Sequence, residues 1–211
     1  MAQMAISKSL VSMAEIEARF NIAYSIDPAF FTEWFENLPN LTEVESSQLV
    51  RIQQQFLEHR NRGSLPEGTI DKLVVSPLLD LAGLYDPRFT IRTEAPVEIA
   101  LNDRDEILQG RIDTLILKEQ IWILVVEAKN STFSLSIALP QALTYMLSTP
   151  KPEQAVFGLV TNGEEFRFIK FLYNQAQIEF DLSDVLSVLP PARSKLTQVL
   201  QVLKRMATLV D

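Results

Sequence analysis

Ile121-Trp-Ile-Leu-Val-Val126 is a run of six apolar residues without a polar interruption. A short, β-branched run of this kind reads as a strand covered on both faces. Such a strand needs a layer above it and a layer below, which confines the chain to architectures in which helices flank a central sheet. Glu127-Ala-Lys129 follows directly, and residues two apart in a strand share a face. Glu127 and Lys129 therefore emerge side by side from the end of the buried run.

Asp113 lies fourteen residues before Glu127. That interval holds one strand, a tight turn at Lys118, Glu119 and Gln120, and a second strand. As an antiparallel pair it brings Asp113 close to Glu127. Two neighbouring carboxylates repel and bind protons tightly unless a cation neutralises them. One or two carboxylates with room for water and a phosphate describe a magnesium site, which manganese would also fill. A lysine beside such a metal orients or deprotonates water, or stabilises charge on a phosphate. A salt bridge at a strand end is the plainer reading of Glu127 and Lys129, but it leaves Asp113 unaccounted for.

The chain has no cysteine, which excludes disulfides, thiolate metal sites and cysteine nucleophiles. Its one histidine, His59, lies in a polar helical stretch without ligand-like neighbours and reads as a surface residue. No apolar run approaches membrane-spanning length and the N-terminus lacks a signal-peptide block, so the expected setting is cytoplasmic. The 27 acidic and 19 basic residues leave a net charge of −8, which disfavours attraction to nucleic acid. The excess is uneven, since six basic and six acidic residues balance between Gly110 and Gln175.

Asp113, Glu127-Ala-Lys129 and Gln141-x-x-x-Tyr145 resemble the PD-(D/E)XK nuclease superfamily, in the Gln-x-x-x-Tyr branch that includes RecB-type exonucleases and the nuclease domain of type I restriction enzyme R subunits. The resemblance covers roughly residues 67 to 175 and extends to Val160-Thr-Asn-Gly163. It implies a restriction endonuclease-like mixed sheet flanked by helices, and a metal-dependent deoxyribonuclease. Asp113, Glu127 and the main-chain carbonyl of Ala128 would bind metal, and Lys129 would assist the attacking water. Gln141 and Tyr145, four apart on one helix face, would position substrate, although Tyr145 also reads as a core residue with a satisfied hydroxyl. The family's extra helical acid matches Glu67 or Asp71, each equally a solvated helix start. Glu98, within a strand, is either a further carboxylate of the site or an exposed strand residue.

Two features depart from the family. Isoleucine replaces proline before Asp113, and no Gly-x-x-x-x-Gly-Lys phosphate loop occurs, so the chain is not a whole R subunit. It reads as a nuclease acting alone or with a protein partner that targets it to DNA. The competing reading is a non-catalytic accessory module that keeps the nuclease fold.

Around this core, residues 1–66 read as a helical extension and 67–211 as the α/β core. Ala29 to Phe35 is expected to be a helix whose aromatic face packs onto the core, and Gln48 to His59 a helix burying Leu49, Ile52 and Phe56. A helix from Thr69 to Gly83 contains Pro77, which is expected to bend it. Strands are expected over Phe89–Leu101 and Ile107–Leu117, joined by a turn at Asn102 to Asp105. Gly110, inside the second strand, marks a bulge or a close approach, where substrate or metal could come near. Pro140 suits a helix's first turn. Beyond it lie a hairpin around Asn162-Gly163, a strand over Gln177–Asp181 and a last helix from Ala192 to Leu209.

Overall fold

The apolar run becomes β5 (Ile121–Ala128), which has sheet neighbours on both sides. The computed structural model describes residues 2–6, 12–101, 106–119, 121–151, 153–174, 177–189 and 194–209. Among these, nine strands form one sheet in the order β1-β4-β5-β6-β7-β8-β2, with β3 on β4 and β9 on β7. The strands are β1 (Ala2–Ala5), β2 (Ile22–Tyr24), β3 (Thr90–Leu101), β4 (Glu106–Lys118), β6 (Val156–Thr161), β7 (Glu165–Asn174), β8 (Gln177–Leu182) and β9 (Leu186–Ser187). Pairs β1/β4, β2/β8 and β5/β6 are parallel and the others antiparallel, which makes the sheet mixed.

Helices cover both faces. One apolar cluster holds Leu49, Ile52 and Phe56 of α2 (Glu43–Arg60), Leu78 and Leu79 of α4 (Ser76–Leu81), and Val199, Leu203 and Met206 of α6 (Leu196–Thr208). The other holds Ile16 of α1 (Met13–Phe20) and Leu139, Leu143 and Met146 of α5 (Leu135–Met146). Helix α2 starts at a reciprocal capping box between Thr42 and Glu45, which satisfies two otherwise free N–H groups.

The N-terminal segment differs from the helical expectation. It contains two helices, but β1 and β2 are strands of the main sheet. Residues 29–35 form consecutive turns instead of a helix. The Asp27 side chain accepts the Ala29 N–H at 2.9 Å just after Pro28 and closes a local turn that competes with helix formation. Three of the aromatic residues still pack as expected, with Phe31 buried and Phe30 and Trp34 against the core, but Phe35 is exposed.

Two prolines behave differently from expectation or from each other. Pro140 lies in the interior of α5, not in its first turn, because the helix begins five residues earlier behind the Ser134 cap. Pro77 follows a π-helical segment (Asp71–Val75) that joins α3 (Glu67–Ile70) to α4 in one run of right-handed helical backbone, and the wide π turn comes where the missing proline N–H interrupts the helical ladder. The hairpin at Asn162-Gly163 forms as read, with Gly163 at φ +83°. The Asn102 to Asp105 turn and the expected start of the last helix at Ala192 lie outside the described residues. No helix of the described residues is long and apolar enough to cross a membrane.

Candidate active site

The antiparallel β4/β5 pair assembles the site. Thr114 pairs with Val126 at the last rung of this ladder, and Asp113 and Glu127 follow directly beyond it on the two strands. Asp113 Oδ2 accepts the Ala128 N–H at 2.8 Å, which ties one carboxylate to the end of the neighbouring strand. Lys129 Nζ donates to Glu127 Oε1 at 2.5 Å and lies 3.9 Å from Glu67 Oε1. Glu127 is fully buried, and its second oxygen, Oε2, has no hydrogen-bond partner.

A cleft of about 310 Å³ opens at Asp113 and Ala128, lined also by Glu67, Asp71, Lys72 and Glu94 among others, while Glu127 and Lys129 lie beside its lining and not in it. The carboxyls it shelters bind protons tightly. Burial pushes Asp113 up to about 6, against the opposing pull of the Ala128 N–H and the Lys129 charge. Burial and then the Asp113 charge push Glu127 up to about 8. Burial alone would lower the Lys129 ammonium's hold on its proton, but Glu127, Glu67 and Asp113 outweigh it and hold the group above its ordinary value. The arrangement is two carboxyls short of positive charge beside one persistent cation.

The remaining expected residues fall in different places. Glu67 stands at the cleft within reach of Lys129, while Asp71 also lines it but is held by Ser76 Oγ, 3.2 Å from each of its oxygens. The hydrogen bond that Asp71 accepts from a residue five positions on follows the wide turn of the π segment. Glu98 is exposed and accepts from Gln109 Nε2 at 2.6 Å, in a separate shallow depression beside Gly110 and Arg111. Gln141 and Tyr145 are buried on α5 behind β4, with Gln141 Nε2 donating to the Tyr145 hydroxyl at 2.7 Å. Neither lines the cleft.

Glu94 is a cleft residue that the sequence reading missed. It lies on β3 between the pairs Thr93–Thr114 and Ala95–Ile112, opposite Asp113, in the left-handed conformation at φ +51°. The pattern of burial shows the same irregularity, because Ile112 and Leu115 of β4 enter one cluster although three residues apart. A regular strand alternates faces by two. Pro96, two residues after Glu94, is the one local signal of a disturbed edge strand.

Residues 16–177 match the family model of the type I restriction enzyme R protein N terminus. The chain belongs to this family. The match takes in α1, β2 and α2 as well as the sheet that carries Asp113 and Glu127. Among solved structures, the chain is similar to a fragment attributed to an HsdR subunit of a type I restriction enzyme from Vibrio vulnificus YJ016. The two are 22% identical with a TM-score of 0.39, over 56% of this chain and 23% of that one. The match thus spans less than a quarter of the length of that fragment. Comparison with curated proteins gives no match.

Proposed function

We propose that the chain is a magnesium-dependent nuclease domain that hydrolyses phosphodiester bonds in DNA. The observation that carries this reading is Glu127, a fully buried carboxyl with one oxygen on Lys129, the other unpartnered, and Asp113 close by on the neighbouring strand. Leaving a buried acceptor unpaired costs about 1–3 kcal/mol, and more when it is charged. A cation answers both the orphaned oxygen and the repulsion between the carboxyls.

Among the described residues no three Asp, Glu, His or Cys side chains group to hold a metal ion. A metal here would rest on Asp113, Glu127 and the main-chain carbonyl of Ala128, with its other oxygens from water and substrate. Magnesium accepts that pattern, and manganese substitutes for it. When bound, the metal lowers the pKa of water and neutralises charge on phosphate. The Ala128 N–H holds Asp113 in place, and the Lys129 ammonium supplies positive charge where a phosphate would gain negative charge. With a net charge of −8 the protein attracts DNA weakly on its own, and delivery by a protein partner belongs to this reading.

The test is cleavage of supercoiled, linear and single-stranded DNA with magnesium or manganese, beside Asp113→Ala and Lys129→Ala proteins. Wild type should cut, and each variant should lose on the order of a hundredfold or more in rate. Lys129→Ala also leaves Glu127 without its counter-charge, so circular dichroism must show that the variant is folded. If no DNA form is cut, or both variants cut as well as wild type, then either a partner is required or the chain is an accessory module that keeps the fold.

A further inference from the structure

Gly110 of β4 has no room for a side chain. A Cβ built there would lie 2.6 Å from Tyr145 Cε1, 2.9 Å from its hydroxyl oxygen and 3.2 Å from Ile6 Cδ1. The two approaches to Tyr145 are closer than a Cβ tolerates and the one to Ile6 is tight, and Tyr145 and Ile6 are both buried with little freedom to retreat. The backbone at Gly110 is not in the left-handed region, so only the approach of Tyr145 requires glycine there. The sequence reading left that close approach to substrate or metal, and the structure gives it to the tyrosine.

The tyrosine is held from two directions. Its hydroxyl accepts the Gln141 side-chain amide at 2.7 Å, and the main chain at Arg111 acts on the phenol from the β4 side. Arg111 is two residues before Asp113 on the same strand. The phenol therefore clasps β4 just ahead of the carboxylate, at the place where the strand departs from regular alternation. Burial pushes the phenol up to about 12, and it does not line the cleft.

We propose that Tyr145 is a positioning residue: seated against Gly110 and held by Gln141, it fixes the segment of β4 that carries Asp113 and so sets the spacing of Asp113 and Glu127. This rests on the reading of those two carboxyls as a metal site. A residue that holds a ligand's own strand acts as the outer shell of the site, and loss of such support characteristically weakens metal binding.

The experiment is calorimetric titration of the full chain with manganese, combined with DNA cleavage kinetics. The proteins are wild type, Tyr145→Phe, Gly110→Ala, Tyr145→Leu and Gly110→Ala/Tyr145→Leu. Tyr145→Phe keeps the ring and removes the hydroxyl, and its manganese affinity should fall on the order of tenfold while KM for DNA stays unchanged. Gly110→Ala should weaken manganese binding similarly, but add nothing in the Tyr145→Leu background, since the pair acts as one unit. Unchanged manganese affinity in Tyr145→Phe would overturn the proposal. A raised KM with intact metal binding would do so too, by making Tyr145 a substrate contact. An equal loss from Gly110→Ala with and without Tyr145 would also overturn it. If wild type itself binds no manganese, the metal-site reading fails and this inference with it, whereas wild-type binding with unaffected variants removes this inference alone.

Discussion

Glu127 shows how a single buried residue couples stability to pH. Its carboxyl and that of Asp113 are pushed up to about 8 and about 6, above the ordinary 4.5 and 3.8 that they regain on unfolding. The folded state consequently binds more protons than the unfolded state between those limits. Stability must fall as pH rises through that interval, and the loss is complete above the folded values. Urea unfolding of the metal-free protein should give a lower midpoint at about pH 9 than at about pH 5 from this pair. Glu127→Gln should flatten the difference, because it removes the group with the larger shift. A Glu127→Gln protein with the same pH dependence as wild type would show that the burial of this carboxyl does not control it. Saturating manganese should raise the wild-type midpoint most at high pH, where both ligands are ionised.

At the scale of elements, the β6–β7 hairpin and helix α2 meet at one glycine. Gly163 holds φ +83°, and a Cβ there would lie 2.8 Å from Phe56 Cε2 and 3.1 Å from Phe56 Cζ. Gly163→Ala combines left-handed strain with overpacking against a fully buried ring and should cost about 2–4 kcal/mol, measured as a shifted denaturant midpoint. Asn-Gly between apolar runs predicts that turn without tertiary information, whereas the docking of Phe56 upon it was not legible. The same division holds elsewhere. The periodicity of α2 and α6 predicts Leu49, Ile52, Phe56, Val199, Leu203 and Met206 as core, and all six are buried. Residues 29–35 mislead because an aromatic cluster packs equally well from turns as from a helix. Pro140 misleads because propensity places proline early in a helix, while burial of nearly every side chain from Ala138 to Met146 stabilises α5 around it.

At the scale of the whole molecule, the N-terminal segment is built into the sheet that carries the site. Strands β1 and β2 pair with β4 and β8, Lys170 bonds Glu33 and the Phe30 carbonyl, and Glu45 pairs with Lys204 of α6. Residues 67–211 alone would expose the apolar surface beneath Phe31, Leu49, Ile52 and Phe56, which contributes several kcal/mol. That fragment should show no cooperative thermal transition, and one like that of the full chain would mark residues 1–66 as an independent appendage. The sequence by itself determined the layered α/β class, the nearness of Asp113 to Glu127 and the place of Lys129. These follow from local rules: a doubly buried run, a two-residue period and a turn midway between two acids. Tertiary structure alone decided that Glu94 stands opposite Asp113, that Glu67 reaches Lys129 and that Tyr145 rests on Gly110. Those contacts join residues distant along the chain, and their distances depend on how strands bend and helices dock rather than on any spacing in the sequence.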